Sequence, residues 1–140
     1  MKMPRFPSRE WAIEYCKSLN NNERYKKAGK GWTWPILFIV EDIPDDIGQG
    51  VSGRPGFILY LENGECKKVE WFDDAEGVEA PYVLSAKYSD WLDIIDGKLN
   101  PLTAIIRRKL KLVKGDYGTI MRFPIAALEM VKSAQLVARD

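Results

Sequence analysis

The chain contains no histidine. That absence removes the commonest general base, the commonest metal ligand, and every Ser–His or Cys–His nucleophile pair. Carboxylates, Lys and Tyr remain as the side chains with acid–base capability, so the prior for an enzyme falls. Cysteine is scarce: Cys16 and Cys66 are too few for a disulfide framework and match no metal-ligand spacing. No long apolar run exists either, since the longest, Ile36 to Val40 behind Pro35, is far short of the ~20 residues a membrane-spanning helix needs. Charge of one sign is missing as well. With 21 Lys plus Arg against 20 Asp plus Glu, the net charge is +1 and gives no global pull toward nucleic acid or a membrane. Met1-Lys2-Met3-Pro4-Arg5 leads into no apolar signal segment, and Ala138-Arg139-Asp140 carries no organelle address, so the expected location is cytoplasmic.

What is present suits one folded domain over residues 1–140. A domain of this size buries roughly 70% of its unfolded surface, and 46% hydrophobic residues exclude a disordered chain. There are no repeats, no linker and no low-complexity segment.

Ser8 is a good N-cap for a helix whose apolar residues Trp11, Ala12, Tyr15, Cys16 and Leu19 recur at three- and four-residue spacing. Asn20-Asn21-Asn22 ends it, and Glu23 to Lys30 reads as a short second helix stopped by glycine. A strand from Ile36 to Ile43 follows Trp32, Trp34 and Pro35. After a loop over Pro44 to Gly56, Phe57–Glu62 and Glu65–Phe72 flank Asn63-Gly64, a dipeptide suited to the positive φ angles of a type I′ hairpin turn. Tyr82, Leu84, Ala86 and Tyr88 alternate as one face of a fourth strand. Ser89 is the expected cap of a third helix, Pro101 opens a fourth, Leu112–Phe123 supplies a fifth strand, and Pro124 opens a last helix to about Val137. Strands in a run and helices segregated argue an α+β fold: a five-stranded, mostly antiparallel sheet with helices on one face.

Four features invite a functional reading. Gly48-Gln49-Gly50-Val51-Ser52-Gly53 is formally G-x-G-x-x-G, but Arg54-Pro55-Gly56 and a strand follow it where a dinucleotide site needs a helix N-terminus, so it reads as loop. The acidic runs Glu41, Asp42, Asp45, Asp46 and Asp73, Asp74, Glu76, Glu79 lack EF-hand spacing and read as solvated loops. Arg107, Arg108, Lys109, Lys111 and Lys114 concentrate positive charge, either as a solvated helix face or as a patch for an anionic head group or membrane surface. The last helix carries Ile125, Ala126, Ala127, Leu128, Met130, Val131, Ala134, Leu136, Val137 and Ala138 on more than one stripe, which implies a second apolar surface: a subunit contact or a cavity wall.

The stretch Gly97-Lys98-Leu99-Asn100-Pro101-Leu102-Thr103-Ala104, with Lys109-Leu110-Lys111-Leu112-Val113-Lys114-Gly115-Asp116 behind it, resembles the C-terminal half of sterol carrier protein 2-type lipid-binding domains. Ser85-Ala86-Lys87-Tyr88-Ser89-Asp90-Trp91 is similar to that family's strand running into the preceding helix. Leu19-Asn20, Tyr25, Ala28 and Trp32 resemble its stand-alone prokaryotic versions. Two departures stand out. Asn100 replaces the usual Asp, a mild change because both residues favour turns and caps. Arg108 stands where the family has a Gly, and Arg does not easily adopt φ > 0, so the loop there is expected to be rebuilt.

The resemblance implies a five-stranded sheet covered by helices, and reversible, non-enzymatic binding of a fatty acid, acyl-CoA or phospholipid in a tunnel closed by the C-terminal helix. No cofactor, metal or nucleic acid is implied, and the protein would be a monomer or homodimer that touches membrane surfaces transiently. The tunnel would be lined by Phe38, Val40, Leu84, Ala86, Leu102, Ile105, Ile106, Leu128, Val131 and Leu136, with Arg107, Arg108 and Lys109 at the head-group end. The rival reading is an accessory or oligomerisation module of a lipid-related enzyme complex; an enzyme acting on acyl-CoA is a weaker third.

Overall fold

The computed structural model describes residues 4–45, 47 and 53–137. Ser8 opens α1 (Arg9–Asn20) by accepting the Trp11 amide at 3.1 Å, and Asn22 opens α2 (Glu23–Ala28) by accepting the Tyr25 amide at 3.0 Å. Each side-chain oxygen satisfies an amide that the first helical turn leaves unpaired. Strands β1 (Ile36–Glu41), β2 (Gly56–Glu62), β3 (Glu65–Phe72) and β4 (Tyr82–Lys87) follow. The chain then forms α3 (Tyr88–Ile95), α4 (Pro101–Ile106), β5 (Leu110–Lys114), α5 (Tyr117–Ile120) and α6 (Pro124–Gln135).

The sheet has the order β3-β2-β1-β4-β5; β1 and β4 run parallel and every other pair is antiparallel. Because strand side chains alternate, Ile36, Phe38 and Val40 of β1 join Phe57, Leu59 and Leu61 of β2 and Leu84 of β4 on one face, beneath the helices. Leu37, Ile39, Ile58 and Val83 point to the opposite face, where Ala75 and Ala80 of the β3–β4 connection cover them. The α+β fold with helices on one face is therefore what the chain adopts.

Several local expectations change. Ser89 caps nothing: β4 runs directly into α3, with Lys87 at the cap position and no side-chain hydrogen bond. The strand expected over Leu112–Phe123 ends at Lys114. Gly115 takes φ 122°, where a Cβ would lie 2.3 Å from the Tyr82 ring. The Asp116 carboxylate then accepts the Thr119 amide at 2.8 Å and starts the short helix α5. Arg108 does not avoid the left-handed region as expected. Arg108 itself adopts φ 62°, Lys109 N–H donates to Ala104 O at 2.9 Å, and Arg108 N–H donates to Ile105 O at 3.1 Å. This is a Schellman ending with arginine in the glycine position. α3 ends the same way at Gly97 (φ 79°) with its usual residue.

The two cysteines are also joined. Cys16 of α1 and Cys66 of β3 form a disulfide with their Cα atoms 5.5 Å apart, so two cysteines that make no framework still make one staple. Beside it Asn20 Nδ2 donates to Cys66 O at 2.9 Å, and the Cys66 amide donates to Asn20 Oδ1 at 2.8 Å. The glycine-rich stretch over residues 48–52, Asp46 and Ala138 lie outside the described residues.

Candidate functional site

α6 crosses over α1, α2, α3 and α4 rather than lying on the sheet. The side it turns inward is made of small residues: Ala126, Ala127 and Ala134, with Met130 and Val131 between them. Alanines facing a sheet of Phe38, Phe57 and Leu84 do not fill the intervening space. What remains is an apolar cavity of about 120 Å³. α1 closes it with Trp11 and Tyr15, α3 with Trp91, Ile94 and Ile95, and α4 with Leu102 and Ile105. Phe6 and Phe123 complete the wall from outside these helices.

The lining has no charged side chain. Its polar atoms belong to tyrosines and tryptophans. The Tyr15 hydroxyl donates to Met130 O at 3.1 Å, the Trp91 indole to Ile39 O at 2.9 Å, and the Trp32 indole to Trp34 O at 2.8 Å. Burial pushes the Tyr25 phenol up to about 12 and raises Tyr15 further still, so both stay neutral at any physiological pH. The lining contains neither histidine nor a charged side chain. It offers burial of apolar surface.

α6 is held down by polar groups. Besides the Tyr15–Met130 bond, Ser18 Oγ donates to Ser133 O at 2.7 Å. Asn22 Nδ2 donates to Ser133 Oγ at 2.9 Å and to Glu129 Oε1 at 3.3 Å. Glu129 and Ser133 are buried against α2 while Ala126, Met130 and Ala134 overlook the cavity, so the two inward stripes of α6 do different jobs.

Of the residues expected to line a tunnel, Phe38, Val40, Leu84, Leu102, Ile105 and Val131 are brought together around this cavity. Ala86 is buried but sits away from it, at the rim of a separate polar cleft. Ile106, Leu128 and Leu136 turn outward, with 63%, 41% and 78% exposure. Helix geometry explains them: neighbours differ by about 100° around the axis, so Ile105 facing in puts Ile106 out, and Ala127 facing in puts Leu128 out. Leu136 lies beyond the last residue of α6. Most of the wall was not anticipated, including Phe6, Trp11, Tyr15, Phe57, Trp91 and Met130; the apolar stripe of α1 already carried the signal for Trp11 and Tyr15.

The basic group divides. Arg108 and Lys109 border the polar cleft with Lys87, Lys111, Glu41, Asp42 and Asp90, whereas Arg107 does not. Cleft and cavity share no lining residue. The Glu41 carboxyl is held below its usual value, first by the Ser85 hydroxyl that donates to it and then, against the opposing effect of burial, by the Arg54 guanidinium. Among the described residues no helix is long and apolar enough to cross a membrane, and no three His, Cys, Asp or Glu side chains converge as a metal site.

Relatives share this geometry. Among curated proteins none matches the sequence. Among solved structures, a crystal structure of sterol carrier protein 2 is 31% identical with TM-score 0.84, over 94% of this chain and 98% of its own. The solution structure of a conserved hypothetical protein from Thermus thermophilus, possibly a sterol carrier protein, is 29% identical with TM-score 0.86, over 100% of this chain and 94% of its own. An Aedes aegypti sterol carrier protein-2, solved in complex with the C16 fatty acid palmitate, shares the fold at 17% identity and TM-score 0.52, over 89% of this chain and 93% of its own. The model of the SCP-2 sterol transfer family matches residues 16–125. With the family model matched over most of the chain and the fold shared with a relative at 31% identity, this chain belongs to the SCP-2 sterol transfer family.

Proposed function

We propose that the protein binds a mainly apolar lipid between sheet and helices and acts as a carrier without catalysis. The observation that carries this reading is the 120 Å³ cavity with no charged lining residue, set in a family fold whose Aedes aegypti member was solved with palmitate. A cavity of about 150 Å³ lined by aliphatic and aromatic side chains accepts one benzene ring, so the space seen here receives a short stretch of chain. A longer acyl ligand requires α6 to lift, and its polar fastenings to α1 and α2 make it a lid. An anionic head group would meet Arg108 and Lys109 only outside the cavity.

The test is native mass spectrometry of the purified protein, followed by titration with alkyl ligands of increasing length. Each buried methylene adds about 0.8 kcal/mol, roughly fourfold in affinity, until the cavity and its lid can yield no further. A co-purifying lipid, or affinity that climbs and then levels, supports the reading. Affinity flat with chain length overturns it.

The exposed Ile125 and Leu128 on the outer side of α6 favour one other reading, an accessory module with a subunit contact there. It requires a dimer or heteromer in sedimentation, together with failure to take up any added lipid.

A further inference from the structure

The polar cleft is roomy and its charges are unspent. It encloses about 560 Å³, and four cations border it: Lys87 at the end of β4, Arg108 and Lys109 in the α4–β5 turn, and Lys111 on β5. Three carboxylates border it as well, Glu41, Asp42 and Asp90. Glu41 is already committed, to the Ser85 hydroxyl and, at 3.5 Å, to Arg54 from outside the cleft lining. Among the described residues ion pairs form elsewhere on the molecule, yet none uses Lys87, Arg108, Lys109 or Lys111. Lys111 acts on Glu41 only at longer range.

The backbone at the rim is also held where side chains fit poorly. Among the described residues three non-glycine residues have positive φ, and two of them, Asp42 (53°) and Arg108 (62°), border this cleft. The third, Asn63, belongs to the hairpin turn that requires it. Backbone strain of this kind clusters at binding sites, where it sets the position of a working side chain. Arg108 is the clearer case, because a glycine would close the same turn without strain. An arginine that only meets solvent gains nothing from such a position.

We propose that this cleft is a binding site for a phosphate group, held by the Arg108 guanidinium and the ammonium groups of Lys87, Lys109 and Lys111. A phosphomonoester carries about two negative charges at pH 7 and three strong acceptor oxygens, which suits donors that converge from three segments of chain. The planar guanidinium takes two of those oxygens side by side, while each lysine acts as a point charge. A carboxylate brings half the charge and one oxygen fewer. The phosphate belongs either to a soluble phosphomonoester or to the head of an anionic lipid. Cleft and cavity share no lining residue, so the site stands apart from the lipid-binding reading.

The probes are glycerol 3-phosphate, with sodium chloride at matched ionic strength as control, and phosphatidylcholine vesicles with and without phosphatidate. Glycerol 3-phosphate should shift the amide resonances of Lys87, Arg108, Lys109 and Lys111 saturably, and chloride should not. Arg108→Gly keeps the left-handed turn and removes the guanidinium, so it should weaken binding about tenfold or more. Arg107→Ala removes a neighbouring charge that does not border the cleft, and at physiological ionic strength it should change affinity by about twofold at most. Arg108-dependent cosedimentation with phosphatidate vesicles alone assigns the phosphate to a lipid head. Binding of glycerol 3-phosphate without cosedimentation assigns it to a soluble phosphomonoester. Equal losses in the two variants, or shifts that chloride reproduces, reduce the cleft to diffuse surface charge and overturn the site. So does the absence of any Arg108-dependent response to either probe.

Discussion

Asn22 joins two helices with its two amide ends: Oδ1 caps α2 by accepting the Tyr25 amide, and Nδ2 donates to the Ser133 hydroxyl of α6 at 2.9 Å. One side chain thus sets where α2 begins and how the cavity's cover is fastened. Asn22→Ala should lower stability by about 1–2 kcal/mol, through loss of the cap and an unsatisfied buried Ser133–Glu129 pair. It should also speed ligand release by more than the stability loss alone would suggest. Urea unfolding and stopped-flow displacement measure the two effects, and unchanged release would mean that α6 does not lift at this end.

Arg108 holds a backbone conformation that glycine adopts without strain. Left-handed geometry costs a side-chain-bearing residue about 1–2 kcal/mol, while glycine adds about 0.4–1 kcal/mol of unfolded-state entropy. Arg108→Gly should therefore stabilise the fold by about 0.5–1 kcal/mol in chemical denaturation. A loss of stability would show that the Arg108 side chain makes up for its backbone within the polar cleft.

The Cys16–Cys66 bridge closes a sequence separation of 50 residues between α1 and β3. Closing a loop of that size restrains the unfolded chain by about 4 kcal/mol in the entropy model, and bridges commonly deliver about 2–4. The double substitution Cys16→Ser, Cys66→Ser should lower stability by about that range while leaving the fold intact, because Asn20 still ties the same helix to the same strand at 2.9 and 2.8 Å. Circular dichroism and urea midpoints, with and without reductant, check both halves.

Filling the space should separate folding from binding. Ala126→Leu adds bulk to the inner stripe of α6 where the wall leaves a gap. The unliganded protein should change stability by less than about 1.5 kcal/mol, as core substitutions that suit the available volume do, while affinity for the longest alkyl ligand falls at least tenfold. Full retention of binding would place the ligand elsewhere.

Acid should weaken the protein partly through Glu41. Its carboxyl titrates below the usual 4.5, so the stability it contributes is complete above that value and is lost as pH falls through the lowered one. Ser85→Ala removes the main cause and should raise the Glu41 titration, read by carboxyl ¹³C NMR. An unshifted titration would assign the effect to Arg54 instead.

Features set by local chemistry were legible along the chain. Ser8 and Pro101 mark helix starts, Asn63-Gly64 a hairpin, and alternation in Tyr82–Ala86 a strand face, because caps, turns and pleats act over four or five residues. Six of the expected wall residues could be read for the same reason: they sit on the buried face of an element whose period was clear. The remainder needed the packed molecule. The apolar residues of α6 reach most of the way round it, so periodicity could not tell that the alanines face inward and Leu128 outward; that depends on Glu129 and Ser133 finding Asn22 on α2. Cys16 and Cys66 lie 50 positions apart, and only the packing of α1 against β3 brings them together. Arg108 breaks the local preference for glycine because two backbone hydrogen bonds at the end of α4 fix the turn before the side chain has a say.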